Sequence, residues 1–195
     1  MHGLVNRAIE RFVRDTYGRE VWGVVVANAG LEITEFEPLL GYDEAITHRL
    51  LDALALRLGR PSADILEDLG TYLVSHPKLE ALRRLLRFGG PTFPEFLNSL
   101  DDLPARARLA VSDLVLPDLE VFERGGDVFT IECHSGAPGF GHVIVGLLRA
   151  LADDYGALAL LEHKGMERGR EIVEVRLLSA RHASGRQFDL GARPQ

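Results

Sequence analysis

Apolar residues recur at helical spacing through the first half of the chain and alternate with polar ones through much of the second. Leu4, Val5, Ala8, Ile9, Phe12 and Val13 line one face of a helix that Tyr17-Gly18 should end, because glycine is a natural C-terminal stop. A shorter helix holds Val21, Trp22, Val25 and Val26. Asp43 can cap a helix that runs to Leu58, where Gly59 ends it and Pro61 prevents continuation. Ser62 can cap the next, carrying Ile65, Leu66 and Leu69 until His76-Pro77, and Leu79 to Phe88 supplies another before Gly89-Gly90-Pro91. Thr92 to Asp113 then reads as one continuous amphipathic helix with Pro104 inside it. An interior proline removes a backbone donor and crowds the carbonyl four residues back, here Leu100, at a cost of roughly 3 kcal/mol. A kink, or a break into two shorter helices, is the plain outcome.

From Asp118 the period changes to two. Leu119 and Val121 precede the turn Arg124-Gly125-Gly126-Asp127, after which Val128, Thr130 and Glu132 oppose Phe129, Ile131 and Cys133, so the two runs form a hairpin. His142 to Tyr155 returns to helical spacing with Gly156 at its end. A second hairpin, Ala157 to Glu162 and Glu171 to Leu178, encloses a loop around Lys164-Gly165-Met166 and Arg168-Gly169. The layout is α+β: an N-terminal helical subdomain packed on a four-stranded antiparallel sheet with one inserted helix. Residues 1–180 form a single domain on this reading, and the polar tail Arg181 to Gln195 is expected to be loose.

Composition narrows the function. The 195 residues are 46% hydrophobic, enough for one generous core. The net charge of −7 comes with scattered basic residues, so no cationic stripe offers itself to a phosphate backbone and nucleic acid is not an expected partner. The single cysteine, Cys133, excludes an internal disulfide and a CxxC metal knuckle, in keeping with a reducing, cytoplasmic setting. The opening MHGLVNRAIERFVRDTYG is charged too often for a signal peptide's apolar core. No window approaches the roughly 18 unbroken apolar residues of a membrane span.

Several local phrases carry more information together than any does alone. The opening segment followed by Glu20-Val21-Trp22, the run Phe96-Leu97-Asn98-Ser99-Leu100-Asp101-Asp102-Leu103, Pro117 before a strand, and Val143-Ile144-Val145-Gly146-Leu147-Leu148 resemble the heme nitric oxide/oxygen binding (H-NOX) domain. That family supplies the sensor module of soluble guanylate cyclases and of bacterial signalling proteins. The resemblance covers residues 1–180 and implies helices leaning on a sheet and helix, with heme between them. In the family a histidine directly after the Leu-Asp-x-Leu phrase binds the iron, and a Tyr-x-Ser-x-Arg motif holds the two propionates.

Both signatures are altered in this chain. The histidine position is Pro104, and a proline ring has no lone pair to give a metal. The second motif falls on Cys133-His134-Ser135-Gly136-Ala137, where only Ser135 matches. Arginine's fork is the best partner for a propionate, in charge-assisted hydrogen bonds of about 1.5 to 3 kcal/mol each, and Ala137 offers none. Cys133 is a weak donor in place of a phenol. The resemblance thus implies a family-shaped chamber without the usual heme anchors, and no cofactor is expected, heme being the family's own alternative.

The chamber's lining is expected from Leu4, Val5, Ala8, Leu73, Leu103, Pro104, Pro117, Cys133, Ser135, Ala137, Val143 and Leu147. Most of these are also ordinary core positions by spacing. Pro117 presses on the macrocycle in relatives, and Val143 stands where oxygen-binding members place a distal tyrosine, which makes the distal side apolar. His2 and His142 are the weaker candidates for a metal, since their helices line the distal side in the family. Cys133 and His134 are adjacent on a strand, point to opposite faces, and do not read as a thiolate–imidazole dyad. No pair of ligands has the tight spacing of known zinc sites. The run Ser135-Gly136-Ala137-Pro138-Gly139-Phe140-Gly141 matches no phosphate-binding motif. It either opens the propionate gate to an elongated or neutral ligand or is a connector whose glycines serve turn geometry.

No paired carboxylates or nucleophile with its base stand out, so an enzyme is not expected. The reading is a stand-alone sensor that takes a small apolar ligand and relays to a separate effector such as a histidine kinase or a cyclic-nucleotide enzyme. The alternatives are a nitric oxide sensor with non-standard heme ligation and a ligand-free interaction module.

Overall fold

A computed structural model describes residues 3–110, 116–134 and 139–187. Helices α1 (Gly3–Thr16), α2 (Arg19–Asn28), α3 (Glu44–Leu58) and α4 (Ser62–Ser75) form the first layer. The Asp43 side chain accepts from the Ala45 amide at 3.0 Å to start α3, and Gly59 ends it in the left-handed conformation at φ 63°. Ser62 does not cap α4: it is the first helical residue, and Pro61 before it makes no side-chain cap. A short 3₁₀ turn, Pro77–Leu79, leads into α5 (Glu80–Arg87).

The helical layer has its own core, in which Ile9, Phe12 and Val13 meet Trp22, Val25, Leu50, Leu54, Ile65 and Leu69. Burial of such side chains contributes about 1.5–3 kcal/mol each relative to exposure. Glu10 is fully buried, held by Arg7 (2.8 Å), Arg14 (2.6 Å) and the Phe36 amide (3.0 Å), so a charge in the core is paired and fastens the loop ahead of α3 to α1.

Asp15 ties α1 to the end of α4, accepting from the Tyr72 hydroxyl and from Lys78 Nζ, each at 2.8 Å. The hydrogen bonds from Lys78 and then Tyr72 hold its carboxyl below the ordinary aspartate value of 3.8. Because the folded carboxyl binds its proton less readily than the unfolded one, this contribution is complete above that ordinary value and is lost as pH falls through the lower folded value. Asp15→Asn is therefore expected to flatten the acid limb of the stability curve, read by urea melts at stepped pH. An unchanged slope would refute the assignment.

The sheet comprises β1 (Asp118–Glu123), β2 (Val128–His134), β3 (Leu158–Glu167) and β4 (Arg170–Ser179) in the order β1-β2-β4-β3, all antiparallel. Helix α8 (Phe140–Tyr155) lies between β2 and β3 in the chain and covers the sheet's inner face. Phe129, Ile131, Cys133, Val173 and Val175 point inward to meet Ile144, Val145, Leu148 and Leu151 of α8.

Two expectations are corrected here. The second hairpin has no long loop: Lys164, Gly165 and Met166 lie within β3, where a register shift between His163 and Gly165 absorbs one residue, and the turn is Arg168-Gly169. Up to residue 187 the tail is not loose. The amides of His182 and Ala183 donate to the Gly156 carbonyl, and that of Arg186 to the Asp154 carbonyl at 2.8 Å. A polar composition left that segment's hydrogen bonds unassigned, and the turn after α8 supplies them.

Helices α4 and α8 form the seam between the two layers, and they approach at glycines. A Cβ on Gly70 would overlap the Val143 carbonyl, and one on Gly146 would overlap the Glu67 carbonyl. The Thr71 hydroxyl donates to the Gly146 carbonyl at 3.2 Å across the same contact.

Candidate functional site

The proline helix is not continuous. Thr92 opens α6 (Phe93–Asn98) with a reciprocal capping box, in which the Glu95 carboxylate accepts from the Thr92 amide at 3.1 Å and the Thr92 hydroxyl accepts from the Glu95 amide at 3.4 Å. Ser99 ends it, a 3₁₀ turn spans Leu100–Asp102, and α7 (Leu103–Ala110) follows. Pro104 is the second residue of α7. First-turn amides have no helical acceptor, so proline there removes nothing, and the Leu100 carbonyl is taken by the Leu103 amide instead. The interior-proline cost is thus not incurred, and the break is the outcome. Residues 111–113 of the expected helix lie outside the described ones. The turn is fastened on both sides: Asp101 Oδ1 accepts from the Val121 amide of β1 at 2.8 Å, and Arg106 donates to the Ser99 carbonyl at 3.0 Å.

The expected lining residues divide between the two layers. Leu103, Cys133 and Leu147 sit together in the sheet-side core. Val5, Leu73 and Val143 are half-buried against the helical core, Leu4 and Ala8 are half-buried on α1, and Pro104 and Pro117 are buried. Ser135, Ala137 and His2 lie outside the described residues. His142 is not poised toward a ligand: its ring stacks on His163 with centroids 4.0 Å apart, and its Nδ1 lies 3.3 Å from Glu67. Among the described residues, a cavity of about 240 Å³ opens between α4, α8 and the tail, edged by Thr71, Val74, Arg149, Asp153 and Arg186. None of the expected lining residues borders it.

What the residues around the start of α8 do is more specific. Glu171 of β4 stands directly opposite Cys133 in the register and turns inward with it. Its carboxylate accepts from the Gly139 amide at 2.8 Å, the Gly141 amide at 3.0 Å and His163 Nε2 at 3.0 Å. The Gly165 amide donates to His163 Nδ1 at 3.3 Å, which leaves the proton on Nε2 to face Glu171. Free amides at a helix N-terminus are a ready anion receptor, and here the chain's own carboxylate fills it.

Cys133 is 4% exposed, and burial, with the Glu171 charge second, pushes its thiol up to about 12. It stays a neutral thiol, and His134 on the other face lies 3.3 Å from Glu120 instead, so the two do not form a dyad.

Glu171 and His163 escaped the sequence reading, although half of the signal was present. Glu171 is in phase with Val173, Val175 and Leu177, so strand alternation alone puts a carboxylate in the buried row. Its partners come from α8 and a neighbouring strand, and no local motif marks them.

Comparison with known proteins agrees with this architecture. The Haem-NO-binding family model matches residues 2–163. Soluble guanylate cyclase gcy-31 of Caenorhabditis elegans is 26% identical over 154 residues, 79% of this chain and 22% of that protein. Soluble guanylate cyclase gcy-35 of the same organism is 31% identical over 104 residues, 53% of this chain and 15% of the relative. The chain therefore spans about a fifth of the length of the curated relatives it matches. An H-NOX protein from S. oneidensis superposes with a TM-score of 0.77 at 16% identity, covering 92% of this chain and 97% of that one. The Fe(II) unliganded H-NOX protein from K. algicida gives 0.75 at 15% identity, covering 99% and 100%. With four-fifths of the sequence under the family model and the whole layout shared with solved members, the chain belongs to the haem-NO-binding, or H-NOX, family.

Proposed function

We propose that this domain is a non-catalytic H-NOX-type sensor that has given up heme and takes a small apolar molecule, which it reports to a separate cytoplasmic effector such as a histidine kinase or a cyclic-nucleotide enzyme. The residues at the family's two anchor points do not fit heme. Pro104 is buried at the start of α7 and has no atom that can ligate iron. Opposite Cys133, where the family holds propionates, stands the Glu171 carboxylate with two helix amides and an imidazole already in its grasp. This second observation carries the reading. A propionate brought there meets a like charge and no unsatisfied donor from this set, and like charges in a poorly solvated site repel strongly.

The apolar half of the reading rests on the remaining lining. Leu103, Leu147 and the neutral Cys133 thiol in the sheet-side core, and Val5, Leu73 and Val143 against the helical core, are apolar, with the Glu171 carboxylate beside Cys133 already satisfied by its own donors. The relay falls to α7. Pro104 is its second residue, and the turn before it is bonded to β1 through Asp101, which couples the helix to the sheet.

Titration of purified protein with hemin, followed by absorption, tests the proposal. The expected result is a broad, non-saturating band in the wild type. Pro104→His is expected to raise hemin affinity, and adding Glu171→Gln to raise it further by removing the like charge. A sharp Soret band at one heme per chain in the wild type would sink the proposal in favour of a gas sensor with non-standard ligation.

A further inference from the structure

The outward face of the sheet carries a second group of chemically capable side chains. In the β1–β2 register Glu120 pairs with Glu132 and Asp118 with His134, so three carboxylates and an imidazole share one face near the end of both strands. Like charges directly opposite each other destabilise a strand pair, and Arg170 of β4 answers only part of this charge, at 2.6 Å from Glu132. His134 Nε2 lies 3.3 Å from Glu120 Oε2 and 3.9 Å from Glu132 Oε2. That nitrogen is buried and makes no hydrogen bond, although its ring is 21% exposed at the side chain. One atom from each of Glu120, Glu132 and His134 falls within a 4.8 Å set.

We propose that Glu120, Glu132 and His134 form a binding site for a divalent transition-metal ion of the zinc class. Bonds of about 2.1 Å in a tetrahedron put ligand atoms about 3.4 Å apart, so the histidine and Glu120 already stand at ligand spacing. Glu132 Oε2, 3.9 Å from the same nitrogen and also held by Arg170, moves inward on binding. One nitrogen with two carboxylates suits zinc and its neighbours. Magnesium and calcium favour all-oxygen shells with more ligands. The Glu120 side chain is 51% exposed, so the fourth position opens to water. An ion held there would staple β1 to β2 at the strand end and satisfy the orphaned nitrogen.

The test is calorimetric titration of zinc chloride into the full chain, stripped with chelator and free of any polyhistidine tag. One ion per chain is expected, with a zinc-dependent rise in Tm. His134→Ala and Glu120→Gln should each weaken binding at least about tenfold through loss of one of three ligands, while His48→Ala, an exposed histidine on α3, should leave it unchanged. Should His134→Ala fail to fold, Glu120→Gln decides, since that carboxylate is half in solvent. Absence of one-to-one binding, or equal binding after either ligand substitution, overturns the site.

Discussion

Truncating Arg83 to alanine is expected to cost about 3–5 kcal/mol, the usual penalty for leaving a buried charge without its partner. Arg83 and Asp154 are 3% and 4% exposed at the side chain, and Nε donates to Asp154 Oδ1 at 2.9 Å while Nη2 lies 2.8 Å from the same oxygen. The guanidinium also donates to Glu80 at 2.7 Å and to the Gln187 carbonyl at 3.3 Å. One side chain thus joins α5, the end of α8 and the tail. Without it Asp154 keeps Arg87 at 3.5 Å, too distant to replace two close contacts. For a chain of this size the loss corresponds to a fall of roughly 6–20 °C in Tm. The double change Arg83→Met with Asp154→Leu should recover most of it, because a buried ion pair and an apolar pair of similar volume are often near equal in stability. Urea unfolding of both singles and the double closes the cycle. A loss under about 1 kcal/mol for Arg83→Ala would show that the pair is solvated in solution.

Gly146→Ala sets two principles against each other. Helix propensity favours alanine over an interior glycine by about 1 kcal/mol. Packing opposes it, because the new methyl would overlap the Glu67 carbonyl, a backbone group of α4 that cannot rotate away. Relief requires the two helices to separate along the seam that joins the layers, and overpacking of this sort costs typically 1–3 kcal/mol, more where backbone is involved. Packing wins: with the overlap at the upper end of that range, a net loss of about 2 kcal/mol and roughly 4–8 °C in Tm is expected by thermal melting. Gly23→Ala on α2 is the control, since nothing lies within 4 Å of its added carbon, and it should be neutral or stabilising. If Gly146→Ala behaves like Gly23→Ala, the seam is looser than its geometry implies.

Much of the fold was legible residue by residue. Asp43 and Gly59 bracket α3 as their chemistry requires, and the alternation of Phe129, Ile131 and Cys133 against Val128, Thr130 and Glu132 is the burial pattern of β2. Pro104 was legible as a punctuation mark, but its cost was not. Whether a proline is interior or first-turn depends on where the helix starts, and the 3₁₀ turn at Leu100–Asp102 moves that start to Leu103. The second hairpin was misread because Gly165 resembles a turn residue, whereas a shift in pairing lets β3 run through it.

The site was less legible than the fold. Periodicity places a side chain on a face and says nothing of what lies opposite. That Glu171 reaches the amides of Gly139 and Gly141, or that Glu120 and Glu132 face each other beside His134, follows from strand register and from the order β1-β2-β4-β3.

By itself the amino-acid order determined most of the helices and the first hairpin, which of their faces are apolar, and that position 104 cannot ligate iron, because these are properties of single residues and their near neighbours. Only the tertiary structure decided that the anion receptor at α8 is filled by the chain's own carboxylate, that α4 and α8 touch through bare glycine backbone, and that Arg83 and Asp154 meet from distant segments. Hydrogen bonds and charge pairs act over a few ångströms in space, and separation along the chain does not report that distance.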